Sequence, residues 1–134
     1  ERLPFEALLK ASDIVTLHVP LTPATRHMIN REALALMKPG AMLINCARGP
    51  VVEERALAEA LRSGRLGGAG LDVFEVEPPA FPSIFAEFHN VALTPHIAPG
   101  TADIMRMKME EIWADVTSFF AGRAMANVVV AGPG

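Results

Sequence analysis

From Ala41 to Pro79 the chain reads without a break as strand, basic turn, helix, strand and acidic turn: AMLINCARGP, VVEERALAEALRSG, RLGGAGLDVFEVEPP. Strands that alternate with helices at this pitch build βαβ units, and their right-handed crossovers give a parallel sheet. In such a sheet the groups that do chemistry stand just past the carboxyl ends of the strands, where loops open over a crevice. Arg48 stands there after the strand ending near Cys46, and Asp72 and Glu77 stand there after the next one. The segment NVALTPH delivers His96 to the same edge if it runs parallel to the others. An arginine, a carboxylate and an imidazole then converge from three successive strand ends.

The flanking segments extend the pattern. ERLPFEALLKASD starts as a short amphipathic helix, with Pro4 in its first turn and Phe5, Leu8 and Leu9 on one face. Ile14 to Val19 is nearly all apolar, as expected of a strand covered by helices on both faces, and His18 is assigned to packing or a backbone hydrogen bond. Asn30 is placed to cap a helix whose Ala33, Leu34 and Met37 share a face, and Lys38, Pro39 and Gly40 end it. After the strand Met42 to Cys46, Gly49 lets the backbone approach a ligand or adopt positive φ. Glu53 and Glu54 occupy the first turn of a sheet-covering helix with a stripe of Ala56, Leu57, Ala60 and Leu61, closed by Gly64.

Strands are expected over Ala69 to Val73 and Val91 to Thr94, and the loop from Phe74 to Asn90 carries no readable pattern. Thr101 is placed to cap a helix of about 20 residues, in which Met105, Met109, Ile112, Trp113, Val116, Phe119 and Phe120 form a core-type stripe. Gly122 ends it, and MANVVVAGPG reads as an extended tail.

The 134 residues are 51% hydrophobic and 20% charged, which suits one globular domain with a real core. A net charge of -3 with 12 scattered Lys and Arg gives no broad basic field for nucleic acid or anionic lipid. No apolar run approaches the roughly 18 residues of a membrane span, the first residues lack a signal-peptide pattern, and the expected compartment is the cytoplasm. One cysteine forms no internal disulfide, which agrees with a reducing compartment. The opening at Glu1, inside a helical pattern, suggests a processed or truncated chain or a segment of a longer one. A G-x-G-x-x-G phosphate cradle is missing: the glycines at 64, 67, 68 and 70 lack its spacing, position 73 is Val, and they precede a strand.

Four motifs in order, SDIVTLHVPLTPATRHMIN, MKPGAMLINCARGPVVEERAL, GAGLDVFEVEPP and NVALTPHIAPGT, resemble the D-isomer-specific 2-hydroxyacid dehydrogenases, over Leu9 to about Val130. The resemblance implies that residues 1–134 are a partial NAD(P)-binding domain. This is the parallel-sheet half of a Rossmann-like α/β fold, with about four strands, covering helices and the long helix that leads back to a substrate domain. The family's Gly-rich loop, ribose-binding acid and substrate domain have no counterpart here. The implied chemistry is hydride transfer between NAD or NADP and a 2-oxo or D-2-hydroxy acid, with no metal.

Carried over by motif, Arg48 matches the arginine that binds the substrate carboxylate and carbonyl, a task suited to a permanently charged bidentate donor. His96 matches the general acid and base, and Glu77 the carboxylate that orients it. Asp72 matches a residue on the nicotinamide side, while Val19, Pro20, Cys46, Ala47 and the backbone from His96 through Ile97 to Ala98 match cofactor-lining positions. Glu75 competes with Glu77 as the partner carboxylate. Cys46 reads as a small buried residue rather than a nucleophile, and His27 and His89 read as surface or loop residues. Pro99 departs from the small residue usual in the family. Two other readings share these motifs: a non-catalytic, corepressor-like binding module that keeps the same triad, and an inactive truncated remnant. The strand Ile14 to Val19, whose one edge is left without the family's neighbouring strands, and the stripe Met105 to Phe120 point to a homo-oligomer or a companion segment, with the chain alone expected to be inactive and to hold NAD weakly.

Overall fold

A computed structural model describes residues 2–98 and 100–128, so the expectations for Pro99 and for the tail past Val128 lie outside the described residues. The chain divides into two units, Glu1–His96 and Ile97–Gly134.

In the first unit, β1 (Ile14–Leu17), β2 (Met42–Asn45), β3 (Gly68–Leu71) and β4 (Val91–Leu93) pair in parallel and in sequence order. Leu17, Asn45, Leu71 and Leu93 are register partners in one row at the carboxyl end of the sheet. Loops leaving β2, β3 and β4 therefore emerge side by side. Three helices precede or join these strands: α1 (Phe5–Ala11), α2 (Arg31–Leu36) and α3 (Glu54–Arg62). Asn30 caps α2 as expected, its Oδ1 accepting the Ala33 N–H at 2.9 Å.

Consecutive right-handed crossovers in one direction carry α2 and α3 over the same face of the sheet. On that face Val15, Leu17, Leu43, Ala69 and Leu71 are buried in one core with Leu9, Leu34, Met37, Leu57 and Leu61. Each such leucine contributes roughly 1.5–3 kcal/mol relative to exposure. This corrects the reading of the first strand as covered on both faces: β1 alternates, and Ile14 stays 60% exposed beside Met42 at 41%. Its apolar run misled because both faces carry aliphatic residues while one helix layer packs only one of them. Similarly, α1 buries Leu9 and leaves Phe5 and Leu8 exposed, and α3 buries Ala56, Leu57, Ala58 and Leu61 with Ala60 partly buried against the core.

The loop that carried no pattern is anchored by Phe85, which is fully buried in the core, and it holds cis peptides at Glu77–Pro78 and Phe81–Pro82. Gly49 opens a 3-10 turn, Gly49–Val51, without positive φ. What crowds it is protein backbone: a Cβ there would lie 1.8 Å from the Phe74 carbonyl oxygen.

The second unit is built on α4 (Ala102–Phe120). Thr101 stands at its N-cap but makes no side-chain cap bond. None of the α4 residues is buried, so the apolar stripe expected as core is exposed, Trp113 at 69% and Phe120 at 83%. Asp115 folds the following segment back on the helix by accepting the Ala126 and Asn127 amides at 2.8 and 3.2 Å, and these donors hold its carboxyl below the usual range. No helix of the described residues is long and apolar enough to cross a membrane.

The Gly49 contact gives a test. Gly49→Ala is expected to cost about 3 kcal/mol or more, because two backbones must part. Urea unfolding measures this, and a loss below about 0.5 kcal/mol contradicts the close approach.

Candidate functional site

The site begins at Asn45, the last residue of β2, buried in an otherwise apolar strand. Its Oδ1 accepts the Ala47 N–H at 3.1 Å and its Nδ2 donates to the Arg48 carbonyl at 3.1 Å. One side chain thereby shapes the turn that presents Arg48. The Arg48 side chain is exposed and donates through Nη1 to the Ala47 carbonyl at 2.6 Å.

At the next strand end, Asp72 is also buried, and the Thr94 hydroxyl donates to its Oδ1 at 2.5 Å. The Asp72 N–H reaches the Asn45 carbonyl and the Thr94 N–H the Leu71 carbonyl, each at 3.0 Å, which ties the three strand ends together. Buried polar groups of this kind persist because they are hydrogen-bonded.

Glu77 and His96 meet at the rim. His96 Nδ1 lies 2.8 Å from Glu77 Oε2, and Glu77 Oε1 accepts the Phe74 N–H at 3.0 Å. The bond to His96, followed by the Phe74 amide and the charges of His96 and Arg48, holds the Glu77 carboxyl below its ordinary range. His96 has φ of 57°, a left-handed conformation that costs a non-glycine residue about 1 kcal/mol or more and clusters at functional sites. Phe74, Pro78, Pro79 and Pro95 line a pocket of about 120 Å³ beside the pair.

Glu75 is not the partner of His96. It faces His27, with Nε2 at 2.9 Å from Oε1, so His27 is a loop residue with a definite contact. His18 is exposed and bonded to the Thr16 hydroxyl at 3.0 Å, contrary to the packed or backbone-bonded role expected of it. Cys46 is exposed as well, where a buried residue was expected, because it follows the last residue of β2 and faces a cleft.

That cleft, about 510 Å³, brings together Val19, Pro20, Cys46, Ala47 and Arg48 with His18 and Leu21. Its lining mixes aliphatic side chains with one imidazole and one guanidinium, and it has the width for a planar ring beside an anion. A pyrophosphate is not fitted by the nine-residue α3, which opens on Glu53 and Glu54. Asp72 belongs to the buried tie between strand ends, and Ile97 and Ala98 fall in the second unit, exposed. Asn45, Thr94, His27 and Glu54 were not singled out as site residues from sequence. For Asn45 a signal existed, a buried-type strand ending on an amide just before a basic turn.

Four parallel strands whose loops gather at one carboxyl edge define a Rossmann-like, nucleotide-binding type of α/β fold. Residues 1–98 match the family model described as D-isomer specific 2-hydroxyacid dehydrogenase, NAD binding domain. The chain belongs to this family. It is 46% identical over 129 residues to the glyoxylate reductase of Thermococcus litoralis, covering 96% of this chain and 39% of that relative. Among solved structures, D-lactate dehydrogenase with NAD+ from Lactobacillus jensenii superposes with a TM-score of 0.89 at 35% identity, covering 96% of this chain and 43% of that one. The D-isomer specific 2-hydroxyacid dehydrogenase of Xanthobacter autotrophicus Py2, in complex with NADPH and MES, gives 0.78 at 44% identity over 94% and 51% of the two chains. The chain thus spans about two fifths of the curated relatives it matches, 39% and 40% for two of them.

The lowered Glu77 carboxyl sets a pH dependence. A group whose folded value lies below its unfolded one contributes stability above the ordinary 4.5, and that contribution disappears as pH falls through the folded value. The stability gap between the wild-type chain and Glu77→Gln is therefore expected to be open at about pH 6 and to close in acid. Equal stabilities at both pH values in urea titrations would remove the pair as a native contact.

Proposed function

We propose that this chain carries the proton-handling and acid-binding side of an NAD(P)-dependent oxidoreductase acting on 2-oxo and D-2-hydroxy acids. The observation that carries the reading is the 2.8 Å pair of His96 and Glu77 at the same sheet edge as Arg48. With Nδ1 turned to the carboxylate, Nε2 is the nitrogen left to meet a substrate oxygen. In reduction it gives a proton to the oxygen of the carbonyl being reduced, and in oxidation it takes the proton back. Glu77 stays ionised throughout and offsets the imidazolium. Arg48 holds the substrate carboxylate through its fork and orients the carbonyl. Val19, Pro20, Cys46 and Ala47 line the nicotinamide side, with Asp72 and the backbone of Ile97 and Ala98 as the remaining proposed contacts. The nicotinamide, when bound, supplies or accepts the hydride.

Related proteins named glyoxylate reductase and hydroxypyruvate reductase make small 2-oxo acids the first substrates to try. In the gene product that carries this chain, Arg48→Lys is expected to lose about 100-fold or more in kcat/KM on glyoxylate or hydroxypyruvate, since an ammonium cannot replace the bidentate fork. Near wild-type turnover on every 2-oxo acid would take Arg48 out of the site. The exposed α4 stripe and the open sheet face further support a homo-oligomer or a companion segment for the isolated chain, with little activity and weak NAD binding. Sedimentation and calorimetry on the 134 residues test this, and a monomer with micromolar NAD affinity opposes it.

A further inference from the structure

Behind the loop that carries Glu77 lies a second acidic cluster that the reaction does not use. The Glu75 N–H donates to Glu54 Oε1 at 2.7 Å, and the Glu54 N–H donates back to Glu75 Oε1 at 3.3 Å. His27, at φ of 50° and with its own N–H on the Pro50 carbonyl at 2.8 Å, places Nε2 at 2.9 Å from the same Glu75 oxygen. Glu54 also lines a cavity of about 170 Å³ with Val76, Pro79, Ala80, Ser83 and Ile84, so its side chain sits directly under the loop.

We infer that Glu54 is a positioning residue for the Glu77–His96 pair: by accepting the Glu75 amide it sets the peptide that precedes Glu75, and thereby the Phe74–Glu77 turn. The step is short in covalent terms. The Phe74 N–H holds Glu77 Oε1 and the next amide, that of Glu75, is held by Glu54, so two successive N–H groups are fixed by two different carboxylates. The carbonyl between them lies against Gly49. Releasing the Glu75 amide frees the turn to rotate and carries the Glu77 carboxylate off His96. Burial raises the Glu54 carboxyl above its ordinary range, against the pull of the Glu75 amide bond, and the charge of Glu75 adds a smaller push in the same direction as burial.

The inference rests on the proposed acid–base pair, and the test separates the two. Glu77 is followed by carboxyl-carbon NMR on the gene product that carries this chain, labelled in glutamate, with Glu77→Gln assigning its resonance. Glu54→Ala is expected to raise the Glu77 titration toward the ordinary range, whereas mere loss of a nearby negative charge would lower it. Glu54→Gln, whose amide oxygen still accepts the Glu75 N–H, is expected to restore the wild-type position. His96→Ala is the control and should also raise it. If His96→Ala moves the titration and Glu54→Ala does not, the positioning role is overturned and the pair stands. If His96→Ala leaves it unmoved, the pair falls and the inference with it. Should Glu54→Ala not fold, Glu54→Asp keeps the charge but draws the acceptor one methylene back from the Glu75 N–H; an upward shift supports the clamp and an unmoved titration overturns it.

Discussion

The contact between Gly49 and the Phe74 carbonyl sets how close the loop after β2 can come to the loop after β3, and the charged groups take their spacing from it. Parallel strands leave their exits about 4.8 Å apart, but side chains of arginine and glutamate length could still diverge by twice that. A glycine at position 49 removes the bulk that would hold the loops apart. The Arg48 charge can then reach Glu77 and help keep its carboxyl ionised, after the larger effects of His96 and the Phe74 amide. An alanine would separate them by a distance that no rotamer change recovers, because the obstructing atoms are backbone on both sides.

Buried and exposed polar groups divide the labour at this edge. Asn45 and Asp72 are out of solvent and have their hydrogen bonds inside the protein, Asn45 to the Ala47–Arg48 turn and Asp72 to the Thr94 hydroxyl. Buried groups so satisfied are rigid, since leaving either partner bare would cost about 1–3 kcal/mol. Arg48, Glu77 and His96 are exposed and carry the charge. Solvent access keeps their desolvation cost low, while the frame beneath them restricts where they can go. Reactive groups set on a stiff edge in this way lose little entropy when a ligand arrives.

How far the sequence could be read depends on which periodicity a residue obeys. The parallel sheet and the Asn30 cap follow from alternation of apolar runs with helical stripes, and the structure has them; Glu77 as the partner of His96 rests on the family resemblance rather than on periodicity, and the two side chains meet at 2.8 Å. One-sided burial of β1 was not legible, because Ile14 and Val15 are equally aliphatic and nothing in the run says which face the helices take. The α4 stripe was legible as apolar but not as exposed: spacing reports that a face is apolar and is silent on what covers it. Glu54 and His27 were invisible as partners of Glu75, since their contacts are made across 21 residues and more by a loop without period.

The same loop shows why Glu75 and Glu77 could not be told apart by local reasoning. In an extended strand, residues two apart share a face, and both carboxylates would have turned to one histidine. Here the chain bends after Val73, and each carboxylate has its own histidine, Glu75 with His27 and Glu77 with His96. Both histidines hold left-handed backbones, at 50° and 57°. Each such residue costs about 1 kcal/mol or more, and each cost is set against a hydrogen bond to a carboxylate that is itself anchored by a backbone amide. On the Glu77 side, Phe74 supplies that amide; on the Glu75 side it is Glu54. Losing either carboxylate leaves a strained histidine without its compensation.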